Sequence, residues 1–410
     1  MSDQYSLFQR YGVELEYMLV DTASLDVRPI ADRIIHGAGK ERKNEIRHGG
    51  LRWSNELVLH VLELKTDGPA RTLDGLEDLF QAEVVHLNQV LAEDGAMLLP
   101  TAMHPWMNPH RETVLWPHGD RQIYQAFDRI FDCRGHGWSN LQSTHLNLPF
   151  ANEDEFLRLH HAIRLLLPLL PALAASSPMV EGDRGHMLDM RLEFYRHNCR
   201  RIPFVTGRVI PERISSIKEY KERILGRIYE ELRPHDPEGV ICEEWVNARG
   251  AIARFERNTI EIRVLDIQEC PAADLAILQF ACAVLRHLVE ETLSSSEVQR
   301  GIGTADLEET FLNTIAYAED SIVRQPAYIE ALGLSSSRPK TVGDILHSLL
   351  QRIQTTSPAP WQGTIEKILR RGCLSRRIRR GMGRHPTHAT IARVYHELAA
   401  CLREGRLYDA

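Results

Sequence analysis

Between Tyr11 and Asp21 the polar residues Glu14 and Glu16 alternate with Val13, Leu15 and Tyr17. A period of two is the signature of a half-buried strand, so this stretch predicts one. Leu57–Thr66 (LVLHVLELKT) predicts a second strand. From Leu73 to Asp94 the period changes: Leu76, Leu79, Phe80, Val84, Leu87, Val90 and Leu91 form one helical stripe. Met103–Asp120 carries Pro105, Pro109 and Pro117 with Trp106 and Trp116, and predicts a long irregular segment, either a surface loop or a lid. A helix follows over Arg121–Phe131, a turn at Gly135 and Gly137, a strand over Ser143–Phe150 (STHLNLPF), and a helix over Asp154–Ala175. The apolar run Leu165–Ala175 is too short to span a bilayer and contains Pro168 and Pro171, so it predicts a kinked buried helix. Ala251–Phe255 and Thr259–Ile267 predict a hairpin around Glu256-Arg257-Asn258. After Pro271 helical patterns dominate, with breaks at Ser294–Ser296, Ser335–Pro339 and Thr355–Pro360. There is no internal repeat. Strands early and mid-chain, with helices between and after them, predict an α+β fold with a largely antiparallel sheet.

Composition narrows the classes. With 410 residues, 43% hydrophobic and 26% charged, the chain reads as globular and exceeds the usual single-core size. The formal charge of −7 argues against nucleic acid as a partner but not against a nucleotide bound with divalent cations. The seven cysteines are irregularly spaced with no CxxC, which predicts free thiols. The first residues, MSDQYSLFQRYGVELEY, lack the apolar core of a signal peptide. The expectation is therefore a cytoplasmic protein with no membrane partner, and homo-oligomerisation is left open.

Four clusters carry candidate chemistry. Glu14 and Glu16 share one strand face, where two carboxylates repel unless a cation lies between them; a solvated strand face is the alternative. Glu63 stands among leucines and valines and needs a partner, either a metal or a basic neighbour. Glu56, seven residues earlier, would face the other way in one straight strand; it converges only from a preceding loop or across a bulge. Ser143, His145 and Asn147 share a face, and His145 is a candidate metal ligand, phosphate contact or structural histidine. In Thr259-Ile260-Glu261-Ile262-Arg263-Val264-Leu265-Asp266, the residues Thr259, Glu261 and Arg263 share one face. That face is either a polar exterior or a metal-ligating carboxylate beside a phosphate-holding guanidinium.

The ordered set GVELEY, ELVLHVLELKT, STHLNLPF and TIEIRVLDIQECP, from Tyr11 to about Leu288, resembles the glutamate–cysteine ligase superfamily, and within it the smaller carboxylate–amine ligases. The resemblance implies a curved, mostly antiparallel sheet forming a funnel like that of glutamine synthetase and the guanidino kinases, with helices packed outside. It implies metal ligands at Glu14, Glu16, Glu56, Glu63, His145 and Glu261, a catalytic phosphate-binding Arg263, and substrate contacts at Asn147 and Arg191. Where the family often has aspartate this chain has Glu56, which keeps the carboxylate and lengthens its reach. The implied reaction uses ATP and two or three Mg²⁺ ions to join a carboxylate, glutamate by preference, to an amine, cysteine by default, through an acyl phosphate. The implied organisation is a catalytic domain over residues 5–290 and a helical extension over 291–410.

Other readings have less support. There is no GxxxxGK[ST]; Gly301-Ile302-Gly303 lacks a third glycine and a preceding strand, and His396-Glu397 lacks the second histidine of a zincin. A guanidino-kinase-like phosphotransferase would need a reactive cysteine, for which Cys199 and Cys242 are the candidates; a non-catalytic nucleotide or metabolite binder would have lost metal carboxylates. His104, His110 and His118 read as solvated loop histidines rather than a metal site. The basic stretch Lys367–Arg384 reads as a segment packed against acidic parts of the chain, ahead of a nucleic-acid patch or a phosphate contact.

Overall fold

The computed structural model describes residues 4–37 and 43–410. Its centre is one antiparallel sheet of eight strands: β1 (Gly12–Asp21), β2 (Glu45–His48), β3 (Leu51–Asn55), β4 (Val61–Thr66), β5 (Ala96–Leu99), β6 (Ser143–Pro149), β7 (Ala251–Arg254) and β8 (Thr259–Asp266). The strand order is β2-β3-β4-β1-β6-β8-β7, with β5 pairing alongside β1. The helices that matter below are α1 (Ala31–His36), α2 (Leu76–Ala92), α3 (Arg121–Phe131), α4 (Glu153–Leu166), α5 (Met190–Tyr195), α6 (Pro271–Val289), α7 (Leu374–Met382) and α8 (His388–Glu404).

The alternation in β1 sorts its side chains. Val13, Leu15, Tyr17 and Leu19 point into the main core, which α2, α4 and α6 cover. Full burial of each such side chain is worth about 1.5–3 kcal/mol. The opposite face carries Glu14 and Glu16 at one end and Met18 and Val20 at the other, where α8 closes over them with Ile391, Val394 and Leu398. The sheet face is thus dry under α8 and polar beyond it. α6 is apolar enough to pass as a membrane span by composition, but 72% of it is buried inside the protein.

Several sequence expectations need correction. The strand predicted over Leu57–Thr66 begins only at Val61, because the chain turns between β3 and β4. The short strands β2, β3 and β5 lack an alternation long enough to register. The helix expected over Asp154–Ala175 is interrupted where Pro168 and Pro171 predicted a kink: it ends at Leu166, continues as a 3₁₀ turn at Leu167–Leu169 and restarts at Pro171. Proline at 168 lacks the amide that an unbroken helix would use. The segment predicted as a surface loop or lid is buried through Met103, His104 and Met107. His104 is no solvated histidine: it accepts backbone amides on Nδ1, and its Nε2 lies 2.7 Å from the Leu25 carbonyl oxygen.

Residues 291–410 do not stand apart. Phe311, Ile315, Val342, Leu346 and Ile365 belong to the same core as Val13 and Leu15. The basic stretch is largely spent on packing. Arg377 forms a buried ion pair with Glu269, Arg376 bridges Glu319 and Asp320, and Arg371 lies 3.1 Å from Asp409.

Candidate active site

Strand register assembles the site. On β1 Glu16 stands opposite Glu63 of β4, and Glu14 opposite His145 of β6. Opposed residues in an antiparallel pair share a face. Asn147 of β6 lies opposite Glu261 of β8, which brings the last strand's carboxylate to the same face. The β6–β8 register slips between Ile262 and Leu265, a bulge that re-aims the strand just at Arg263. Glu56 arrives from the turn after β3, so the loop alternative for its convergence is the one realised.

Together these residues line a cavity of about 550 Å³. Glu14, Glu16, Glu56, Glu63, Glu261, His145, Arg191 and Arg263 are all on its wall. Of the nine site residues that the resemblance implied, Asn147 alone is not; its amide donates to Glu14 Oε1 at 3.2 Å.

His145 is the hub. Its Nδ1 lies 3.0 Å from Glu14 Oε2 and 3.8 Å from Glu261 Oε1, and its Nε2 lies 3.8 Å from Glu16 Oε1. Burial opposes protonation of this ring, but the three carboxylates outweigh it and raise its pKa. Ser143 fixes Glu16 through its backbone N–H at 2.7 Å and its hydroxyl at 3.0 Å. Burial alone would raise the Glu14 carboxyl, yet His145 and Lys65 hold it at about 2.

The other two carboxylates have less compensation. Glu63 is pushed up to about 7 by burial and by the charge of Glu14, although Lys65 Nζ lies 3.0 Å away and Ser54 donates to it. Glu56 is raised well above the carboxylate range by burial and by Glu16 and Glu63. A cluster of buried carboxylates that resist joint ionisation is the oxygen-donor set that hard divalent cations stabilise. One donor atom each from Glu14, Glu63 and His145 lies within 4.8 Å of the others. The residues therefore fit Mg²⁺.

The cationic side of the cavity is guanidinium. Arg263 Nε lies 2.9 Å from Glu261 Oε1, and Arg254 NH1 lies 3.3 Å from Glu261 Oε2. Arg191 is buried: NH1 pairs with Asp266 at 3.2 Å and NH2 donates to the Arg263 carbonyl at 2.8 Å. That bracing ties Arg191 to β8, while its guanidinium also lines the cavity and its Nε has no partner among the described residues.

Sequence reasoning missed Lys65, Arg254, Tyr124, Trp138 and Trp245, which also line the cavity. Lys65 is two residues from Glu63 on one strand, and Arg254 faces Thr259 across the predicted hairpin, so the period of two held the signal for both. Tyr124 lies on the predicted helix α3, and Trp138 and Trp245 lie outside the long elements, where no strand period marks them.

The model of glutamate–cysteine ligase family 2 matches residues 10–306. The chain belongs to that family. An uncharacterized protein of Archaeoglobus fulgidus is 44% identical over 280 residues, covering 68% of this chain and 75% of that one. A protein of Nocardioides sp. named as a putative glutamate–cysteine ligase is 24% identical, covering 70% of this chain and 69% of its own. Among solved structures, a glutamate–cysteine ligase of Francisella tularensis in complex with AMP superposes with a TM-score of 0.64 at 13% identity, over 99% of this chain and 91% of that one. That likeness supports the fold: helices around a mostly antiparallel open sheet.

Proposed function

We propose that this family member is an ATP- and Mg²⁺-dependent carboxylate–amine ligase, taking glutamate by its γ-carboxylate and cysteine as the default amine. The observation that carries the reading is the convergence of five glutamates from three strands and one turn on a single cavity wall, with Arg254 and Arg263 beside them.

The substrate carboxylate attacks the γ-phosphorus of ATP. A C–O–P linkage forms, the bond to the bridging oxygen breaks, and ADP leaves. The amine then attacks the acyl carbon, phosphate leaves with the electron pair of the C–O bond, and the nitrogen releases a proton to solvent to give the neutral amide. Such phosphoryl transfer needs positioning and charge neutralisation more than a protein nucleophile. Glu14, Glu16, Glu56, Glu63, His145 and Glu261 would hold the Mg²⁺ ions, which neutralise triphosphate charge when bound. Arg263, 25% exposed and held in the cavity by Glu261, presents its planar fork to the transferring phosphoryl group. Trp138, Tyr195 and Trp245 narrow the cavity and limit hydrolysis of the acyl phosphate by water.

A guanidino-kinase reading lacks its cysteine: among the described residues none lines the cavity, and Cys199 is buried with its thiol pushed up to about 12. Phosphate release measured with glutamate against a panel of amines, cysteine included, with mass detection of the amide, tests the proposal. ADP formation that requires both acid and amine is expected. Release indifferent to the amine would defeat the ligase reading.

A further inference from the structure

Outside the carboxylate cavity, α1 carries Asp32 and His36, whose i,i+4 spacing puts them on one helical face. His118 joins them from a distant part of the sequence. Its Nε2 lies 3.0 Å from Asp32 Oδ2, and its ring meets His36 edge-on with centroids 4.7 Å apart. One donor atom from each of the three lies within 4.8 Å of the others. The indole of Trp116 flanks both imidazoles, with centroids at 5.9 and 5.1 Å. The His118 side chain is 11% exposed, and its Nδ1 is buried without a hydrogen-bond partner. His36 Nε2 lies 3.0 Å from the Lys43 carbonyl oxygen.

A plain His118–Asp32 hydrogen bond accounts for the 3.0 Å contact. It accounts neither for the arrival of His36 at the same point nor for the unpartnered His118 nitrogen. Two imidazoles and one carboxylate are a donor set for zinc-class ions, whereas Mg²⁺ favours a mainly oxygen set such as the five glutamates of the catalytic cavity. We propose that Asp32, His36 and His118 form a zinc-class metal site, separate from the catalytic cavity, that fastens α1 to the loop bearing His118.

The position gives the site a consequence. Two residues past His118, Asp120 accepts the side-chain amide of Asn44 at 2.6 Å, and both residues line the catalytic cavity. Asn44 Oδ1 accepts the Trp116 indole N–H at 3.2 Å. A metal held by Asp32, His36 and His118 would therefore clamp this rim. Tetrahedral zinc with bonds of about 2.0–2.1 Å places ligand atoms roughly 3.3 Å apart; His118 and Asp32 already approach to 3.0 Å, so small side-chain adjustments suffice. The fourth position falls to solvent.

The test uses the full chain stripped with chelator and then saturated with Mg²⁺ to occupy the carboxylate cavity. Zn²⁺ binding is followed by calorimetry, and Co²⁺ by its visible tetrahedral absorption. One tight Zn²⁺ site and a Co²⁺ band are expected. Both should persist in Glu261→Gln and vanish in His118→Ala. His36→Gln keeps the His118–Asp32 hydrogen bond and so guards against misfolding. It should weaken Zn²⁺ by more than the roughly 10–100-fold that loss of an outer-shell partner costs. A band that survives both histidine substitutions, or disappears with Glu261→Gln, would place the ion in the catalytic cavity and overturn the proposal. Absence of any Zn²⁺ binding tighter than Mg²⁺ would overturn it as well.

Discussion

Glu63 carries the sharpest residue-scale consequence. Its carboxyl stands at about 7 against an ordinary 4.5, because burial and Glu14 disfavour its charge. A raised folded-state pKa means that the folded chain binds a proton the unfolded chain has released. The associated stability is present in full below about pH 4.5 and is lost as pH rises through about 7. Without Mg²⁺, thermal stability should therefore fall between pH 5 and pH 8, and Glu63→Gln should flatten that decline while lowering turnover. Metal needs the carboxylate, so Mg²⁺ affinity should climb across the same window with proton release; calorimetry in buffers of different ionisation enthalpy measures it. Affinity independent of pH would remove Glu63 from the ligand set. Glu14→Ala and Glu261→Ala should abolish ATP turnover with the far-ultraviolet dichroism unchanged. Arg263→Lys replaces a planar fork by a point charge, and kcat should fall on the order of 10²–10³-fold. Wild-type turnover with lysine would remove Arg263 from the mechanism.

At the scale of elements, β8 and its supports position that arginine. The Arg263 N–H donates to the Gly250 carbonyl at 2.9 Å, and the Gly250 N–H donates to Val209 at 2.7 Å. A Cβ on Gly250 would sit 2.5 Å from Val264 Cγ1 and 3.1 Å from Val209 Cγ1. Gly250→Ala should therefore push β8 away at the bulge and cost about 1–3 kcal/mol, the range for overpacking. Turnover should fall further than stability alone accounts for, checked by kcat measured well below the melting temperature. Wild-type turnover in a destabilised Gly250→Ala would show that the bulge does not set Arg263. These elements were partly legible beforehand. The period of two put Glu14 with Glu16 and Glu261 with Arg263 correctly, since it is a property of the strand itself. The slip between Ile262 and Leu265, the turn that delivers Glu56, and the short strands β2 and β3 come from tertiary pairing and leave no period. Likewise His36 and His118 meet through the packing of α1 on a loop.

At the scale of the molecule, the sequence boundary near residue 290 is a change of pattern rather than a gap in packing. Glu269, just after β8, is fully buried and pairs with Arg377 of α7, whose NH1 also donates to the Tyr408 carbonyl at 2.9 Å. The Tyr408 N–H in turn donates to Glu269 at 3.3 Å. Tyr408, α7 and the segment just after the strand carrying Glu261 and Arg263 thus share one buried charge network. Glu269→Ala would leave the buried Arg377 guanidinium without its counter-charge, a loss of about 3–5 kcal/mol. That is a large fraction of a typical domain's stability. Because the same core holds Leu15 of β1 and Ile365 beyond the boundary, the melt should remain a single transition that shifts as a whole, and residues 5–290 expressed alone should fail to melt cooperatively. Two separable transitions in differential scanning calorimetry, the earlier alone moved by Glu269→Ala, would mean that the helical segment is an independent unit. A single shifted transition would mean that the helices after residue 290 are part of what holds the catalytic sheet in shape.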